Sequence, residues 1–263
     1  MISLDVVLNR NFTNLTKEYK KFAIEKSNCK QCSIFDCYKQ VGQSEGNVNN
    51  PTFMFVGESL GKDESEQVRP FIGKAGQRLR QELRKHQNFT KQTTIISNIL
   101  SCRPKDNVFP KDQNGPFYLH LKDGPTEASA EKIVETCTES WLFREIKLLK
   151  PKVIVTLGSI PLKYIRKETG ITDKRGSWKF LPEFRAWSIA TYHPSYVLRC
   201  ENDKSKQFVA EQFEKDIEQI SSKTFAIVNG DKRMSFSDPE WQDYLALVKA
   251  FDLGVIKENP NTD

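Results

Sequence analysis

The chain has 263 residues, of which 40 are Lys or Arg and 34 are Asp or Glu, so its formal net charge is +6. This length suits one large α/β domain, and the small positive charge is compatible with a polyanionic partner without requiring one. No apolar run approaches the roughly 20 residues of a membrane-spanning helix, and the first residues lack the order of a signal peptide, so we expect a cytoplasmic protein.

Four of the six cysteines stand next to segments that look like loops or helix starts. They are Cys29 and Cys32 in a CxxC pair, Cys102 in SNILSCRP, and Cys137 before TESWLFREIKLL. Because structural disulfides are rare in the cytoplasm, metal ligation or simple burial must account for them. Four thiolates suit either zinc or an iron–sulfur cluster, and the spacing alone does not choose between the two.

Short apolar segments alternate with helix-compatible segments along the chain. The apolar segments are PTFMFVGES, TTIISNILS, PKVIVTLGS and RAWSIATYHP, and the helical ones are 73–85, 129–149, 159–167 and 206–220. This alternation predicts a parallel sheet with helices on both faces. Ligands bind at the carboxyl ends of such strands, so we expect one crevice formed by residues from four loops. These residues are Gly57, Glu58, Ser59, Asn98, Gly158 and His193.

Two regions lie outside this rhythm. Residues 106–126 contain Gly and Pro around a short apolar centre, which predicts a long surface loop or a small hairpin. After Ser222 we predict a strand in TFAIVNG and a helix in WQDYLALVKAFDLG. We therefore divide the chain into a domain at 1–222 and a C-terminal extension at 223–263.

The motifs together resemble the iron–sulfur uracil-DNA glycosylases called family 4. The resemblance rests on GESLGKDESEQVRPFIGKAG, SNILSCRP, ETC, PKVIVTLG and TYHPSYVLR, and it extends from about Cys29 to Ile220. It implies a three-layer α/β/α fold around a central four-stranded parallel sheet. It also implies a monofunctional enzyme that excises uracil from DNA and leaves an abasic site, since no lysine stands in a motif typical of Schiff-base chemistry.

The resemblance implies a cofactor and a base pocket. A 4Fe–4S cluster is expected on the four cysteines named above, with zinc the less favoured metal. Phe71 would stack on uracil, and the amide of Asn98 would read its O4 and N3–H edge. Gly57 and Ser59 would line the pocket, and His193 would stabilise the charge that develops at O2.

Two acidic residues match the water-handling positions of the family. Glu58 and Glu64 would orient a water molecule and stabilise the oxocarbenium-like sugar. The chain departs from the family pattern GEAPGxxED, with Ser59 and Leu60 where Ala and Pro are usual. An alternative is therefore a catalytically altered member that binds DNA or a repair or replication partner, or that excises another modified pyrimidine.

Cations near the pocket are expected to hold DNA phosphates. Lys74 and Arg78 follow the glycine that opens a helix, and Arg199 follows HPSYVL. The apolar pair Val197 and Leu198 could wedge the base stack. We expect a monomer that binds uracil-containing DNA and could contact a protein partner through 106–126 or the extension.

Overall fold

The computed structural model describes residues 12–13, 16–201 and 203–229. Nine strands occur in these ranges. They are β1 (Phe12–Thr13), β2 (Glu45–Asn47), β3 (Phe53–Gly57), β4 (Thr94–Asn98), β5 (Phe117–Leu121), β6 (Gly124–Ala128), β7 (Val153–Leu157), β8 (Trp178–Leu181) and β9 (Ala186–Thr191).

Ten α-helical segments accompany the strands in the described part of the chain. They are α1 (Lys17–Ser27), α2 (Ser33–Tyr38), α3 (Lys62–Gln67), α4 (Lys74–Leu83), α5 (Ala130–Cys137), α6 (Arg144–Leu149), α7 (Ser159–Pro161), α8 (Ile171–Lys174), α9 (Pro194–Glu201) and α10 (Phe208–Asn229). Side-chain caps define some helix starts: Ser129 accepts a hydrogen bond from the Lys132 amide at the start of α5. A π-helical segment, Thr138–Phe143, joins α5 to α6.

Seven strands form one mixed sheet, in the order β1-β2-β4-β3-β7-β9-β8. Strands β4, β3, β7 and β9 pair in parallel, and β1 pairs in parallel with β2, whereas β2 is antiparallel to β4 and β8 is antiparallel to β9. The α/β class is therefore confirmed. The sheet is wider than the predicted four-stranded parallel sheet, and it is mixed. Strands β1 and β2 were not predicted because they have only two and three residues and no long apolar run.

Helices cover both faces of the sheet, as the apolar pattern of the strands requires. Alternate residues of β3 point to opposite sides: Met54 packs with Phe22 of α1 and Trp141, whereas Phe55 packs with Leu79 of α4 and Phe213 of α10. The site residues therefore extend from strands that are packed on both faces.

The hairpin expected within 106–126 is present, and its strands β5 and β6 form a separate two-stranded sheet. The predicted strand in TFAIVNG is wrong for residues 224–229, because α10 continues through Asn229. The helix α10 runs without interruption across the division at 222. The predicted helix in 241–254 lies outside the described residues. None of the described helices is long and apolar enough to span a membrane.

Candidate active site and four-cysteine region

A cleft of about 670 Å³ opens at the carboxyl ends of the parallel strands. Its walls come from the loop after β3, the start of α4, the loop after β7 and the start of α9. Eight of the residues predicted from the sequence line it: Glu58, Ser59, Glu64, Phe71, Lys74, Gly158, His193 and Arg199. Gly57 and Asn98 do not line it and lie behind the Phe71 ring. The carboxyl ends of several strands therefore contribute to one cleft.

The aromatic ring of Phe71 and the amide of Asn98 meet over the bare backbone of Gly57. A Cβ atom at Gly57 would lie 2.4 Å from Cζ of Phe71 and 2.5 Å from Oδ1 of Asn98, so only glycine fits there. Phe71 itself has φ of +55°, which is strained for a bulky side chain. Its carbonyl oxygen would be 1.7 Å from a Cβ atom at Gly76, and this close approach explains the second glycine. Strain of this kind persists where the surrounding structure holds a functional geometry.

Asn98 ends β4 and is 7% exposed. Its Oδ1 atom has no hydrogen-bond partner among the residues that the structure describes. A buried polar atom without a partner costs about 1–3 kcal/mol, so a ligand that donates a hydrogen bond there would recover this energy. The amide is therefore suited to read the N–H edge of a flat base.

The side-chain contacts of His193 determine which ring nitrogen carries its proton. The backbone N–H of Ser195 points to Nδ1 at 3.2 Å, and the Ser195 hydroxyl lies 2.8 Å from the same atom. Because Nδ1 accepts from the amide, the neutral ring carries its proton on Nε2. Burial, assisted by the positive charge of Arg199, lowers the pKa of His193 to about 4. The ring therefore stays neutral near pH 7 and can donate from Nε2.

Glu58 and Glu64 occupy different environments in the cleft. Burial raises the pKa of Glu58, and the negative charge of Asp112 adds to the shift. Glu64 accepts a hydrogen bond from the Gly73 amide at 3.0 Å, at the start of α4. This carboxylate thus occupies the N-terminus of α4. Glu58 is the carboxylate better suited to acid–base work, and Glu64 fixes the loop that carries it.

The cations predicted to contact DNA separate into two groups. Lys74 and Arg199 are exposed and line the cleft. The structure does not bring Arg78 to this cleft: its buried guanidinium pairs with three carboxylates, Glu82, Glu201 and Glu214. Similarly, Val197 is fully buried in the core and Leu198 is half-buried, so Val197 is not positioned to wedge a base stack.

The four predicted cysteine ligands converge on a second region, which we call the four-cysteine region. Cys29, Cys32, Cys102 and Cys137 line one small, mostly apolar cavity. The Trp141 indole N–H, in the π-helical segment after Cys137, donates to the Cys29 sulfur at 3.2 Å. Burial raises the pKa of Cys137 to about 12, and a backbone hydrogen bond from Ser101 opposes the shift.

The donor set of this region suits a metal centre. Four thiols are soft donors of the kind that bind iron–sulfur clusters or zinc. Within the described ranges, no group of three or more His, Cys, Asp or Glu is arranged to hold a single metal ion as it stands. Cys37, which is exposed, and Cys200, which is buried in α9, do not line the cavity.

Comparison of the sequence with known proteins identifies its family. The sequence model of the uracil DNA glycosylase superfamily matches residues 43–215, which is more than half of the chain. The chain belongs to the uracil DNA glycosylase superfamily. The matched range contains the cleft residues named above and two of the four cysteines, Cys102 and Cys137.

Several relatives of this superfamily align over most of the chain. The type-4 uracil-DNA glycosylase of Sulfurisphaera tokodaii is 29% identical over 235 residues, which cover 85% of this chain and 96% of that protein. The type-4 uracil-DNA glycosylase of Thermotoga maritima is 31% identical over 196 residues, which cover 71% and 86%. That of Archaeoglobus fulgidus is 27% identical over 206 residues, which cover 74% and 88%.

Sequence reasoning missed several cleft residues of this superfamily member. Lys62 is exposed on the cleft, and Asn107, Tyr192, Ser195 and Tyr196 also line it. Ser195 could have been found from its place two residues after His193, since such a hydroxyl can orient an imidazole. Nothing in the sequence distinguishes Lys62 from other surface lysines, because its position depends on how α3 packs.

Proposed function

We propose that this chain is a monofunctional DNA glycosylase that hydrolyses the N-glycosidic bond of deoxyuridine in DNA. The reaction leaves an abasic site for base excision repair. The observation that carries the proposal is the buried Asn98 amide, whose oxygen is unsatisfied, next to the ring of Phe71, whose backbone is strained. Membership of the superfamily, and relatives named type-4 uracil-DNA glycosylase, support the same activity.

Base recognition follows from the chemistry of the amide. The uracil ring stacks on Phe71, while Asn98 Oδ1 accepts the N3–H and Nδ2 donates to O4. Cytosine presents the opposite pattern at these two atoms, so an amide held in this orientation rejects it. The base must leave the duplex to reach the cleft, which costs a few kcal/mol of unstacking energy.

Cleavage of the bond leaves negative charge on the base. His193 Nε2–H donates to O2 of the departing uracil, and a donor aimed at developing charge typically contributes about 10²–10³ in rate. Its Nδ1 contact with Ser195 holds the tautomer. A neutral donor suffices here, so the low pKa of His193 does not oppose the chemistry.

The sugar side of the reaction uses Glu58. Its carboxylate orients the attacking water and stabilises the oxocarbenium-like sugar as the base departs. Partial burial strengthens both effects, because charges interact more strongly where water is excluded. Glu64 is a positioning residue that ties the Glu58 loop to α4 through Gly73.

Cations at the rim of the cleft bind the DNA backbone. Lys62, Lys74 and Arg199 line the cleft and supply charge for phosphates on either side of the flipped nucleotide. Arg78 has a different role: its ion pairs with Glu201 and Glu214 hold α4 against α9 and α10. We further propose that the enzyme acts as a cytoplasmic monomer.

We also propose a 4Fe–4S cluster in the four-cysteine region, with zinc as the alternative metal. Cys29, Cys32, Cys102 and Cys137 would hold it. Such a cluster supplies four metal–thiolate bonds that crosslink distant parts of the chain, and the hydrolysis itself needs no electron transfer. Its role here is structural: it ties the CxxC segment to the β4 loop and the end of α5.

An oligonucleotide with one uracil tests this function. We expect the wild-type protein to make alkali-labile abasic sites opposite G, opposite A and in single strands. His193→Ala and Asn98→Ala should each lose about 10²-fold or more of the single-turnover rate, whereas the exposed Asn114→Ala should not. If the wild-type protein binds this DNA and leaves uracil intact, the chain is a binding member of the superfamily or acts on another base.

A further inference from the structure

We propose that Gln43 supplies a second amide to the uracil pocket, next to Asn98, and helps to select the base at its 4-position. This inference deepens the proposed function and depends on it. Gln43 stands before β2, in a segment to which no motif assigns a role.

The position of Gln43 follows from the register of β2 against β4. Glu45 lies opposite Ile96 in this antiparallel pair. The same register continues towards the N-terminus, because Ser44 donates to the hydroxyl of Ser97 at 2.8 Å. One residue further along, Gln43 is opposite the residue that follows Ser97.

That residue is Asn98. Side chains alternate between the faces of an extended strand, so Gln43 and Asn98 share the face opposite to the Ser44–Ser97 contact. Cβ atoms of directly opposed residues are about 4.5–5.5 Å apart, which is within reach of both amides. The segment also passes beneath the cleft loop, since a Cβ atom at Gly42 would lie 2.6 Å from the Leu60 side chain.

Burial gives Gln43 the same character as the base-reading amide. It is 3% exposed. In the described part of the chain neither Oε1 nor Nε2 of Gln43 has a hydrogen-bond partner, and the same holds for Oδ1 of Asn98. Three buried polar atoms without partners on one strand pair are costly, and buried side-chain polar atoms are normally satisfied. A ligand with a donor and an acceptor side by side at one edge would satisfy Asn98 Oδ1 and Gln43 Nε2 together.

The edge of uracil offers these two atoms, the N3–H donor and the O4 acceptor. O4 has two lone pairs, so it can accept from Asn98 Nδ2 and from Gln43 Nε2 at the same time. The 2-position is left to His193. Gln43 would therefore affect recognition at O4 and leave recognition at O2 unchanged, which distinguishes a direct contact from a general effect on the pocket.

Inhibition of uracil excision by free bases tests this contact. Uracil, 4-thiouracil and 2-thiouracil are compared as inhibitors of the wild type and of Gln43→Met, with the exposed Gln81→Met as the matched control. Sulfur is a weak acceptor, so the wild type should bind 4-thiouracil less tightly than uracil. In Gln43→Met we expect uracil and 2-thiouracil to weaken by about tenfold, the size of one hydrogen bond, and 4-thiouracil to weaken much less.

The outcomes separate this inference from the proposed function. If all three bases weaken equally, or none does, Gln43 does not contact O4 and the inference is wrong while the glycosylase stands. A wild-type protein that neither cleaves uracil-containing DNA nor binds free uracil would overturn both. Should Gln43→Met not fold, Gln43→Asn withdraws the amide by one methylene and should narrow the gap between uracil and 4-thiouracil in the same direction.

Discussion

The base pocket and the four-cysteine region differ in whether their buried polar groups have hydrogen-bond partners. In the pocket, Asn98 and Gln43 have buried atoms without partners in the described structure, and Phe71 has a strained backbone. Around the cysteines, by contrast, the main chain is tied down: the Cys29 amide donates to Lys26, and Trp141 donates to the Cys29 sulfur. A site that binds and releases its ligand retains unsatisfied atoms, whereas the proposed metal site is already ordered by hydrogen bonds of its own.

The hairpin shows how the second region is held. His120 in β5 donates from its backbone to the carbonyl of Gln31, and its ring Nδ1 lies 2.9 Å from the carbonyl of Lys30. Leu119 forms a bridge with Cys32, and Tyr118 donates to the Ser33 hydroxyl. Strand β5 of the hairpin thus pairs with the CxxC segment over residues 30–33.

Removal of a cysteine should have the largest effect of any single change. Cys102→Ala leaves three ligands in a buried apolar cavity, so we expect loss of the metal and of most folded protein, since ligand binding contributes directly to folding. We would measure the metal loss as iron and zinc per chain and as visible absorbance at roughly 400 nm. A thermal melt would measure the loss of stability. The exposed Cys37→Ala is the control. If the Cys102→Ala protein kept its metal content and melting temperature, Cys102 would not be a ligand of a structural metal.

The next largest effect should distinguish the structural role of Arg78 from the DNA-binding role of Lys74. Arg78→Met removes the buried guanidinium and leaves the Glu82 carboxylate paired with the exposed Lys85, at 2.9 Å. Breaking a buried pair costs up to about 3–5 kcal/mol in the free energy of unfolding. Lys74→Met should leave stability within about 0.5 kcal/mol. It should instead reduce the salt dependence of DNA binding by about one counterion. Urea unfolding and binding at several salt concentrations check both, and a reversed pattern would return Arg78 to the DNA surface.

This pair also shows what the sequence could and could not predict. The parallel strands were predictable because each is a short apolar run buried on both faces, and His193 and Asn98 because each ends such a run. The environment of Arg78 was not, since its partners Glu201 and Glu214 come from helices more than a hundred residues away. Gln43 was missed for the same reason: its neighbour is set by strand register across 55 residues of sequence.

The pH dependence of excision should come from Glu58 and not from His193. Glu58 acts as a carboxylate, so the rate falls as pH falls through its pKa. Because burial raises that pKa, this loss begins at higher pH than for an ordinary glutamate, near 4.3. His193, with a pKa of about 4, should add no inflection near pH 6.5. Single-turnover rates from pH 4.5 to 8 test this.

Two variants separate the contributions to that profile. Glu58→Gln should lower the rate by about 10²-fold and abolish the acid limb. Arg199→Met removes a positive charge that lowers the pKa of Glu58, so the limb should move to higher pH. An inflection near pH 6.5 that disappears in His193→Asn would contradict the assignment of a neutral donor.

The smallest predicted effect concerns the hairpin. It tests most directly whether the four-cysteine region and the base pocket are independent. His120→Ala removes the ring contacts to the Lys30 carbonyl and to Asp36 while the backbone bond to Gln31 remains. We expect stability to fall by about 1 kcal/mol and metal to be released to a chelator a fewfold faster, with the excision rate of the loaded enzyme unchanged. Leu121→Ser, at the exposed tip of the hairpin, is the control. If His120→Ala changed excision and left metal release alone, the hairpin would serve the cleft instead, and the two regions would not be independent.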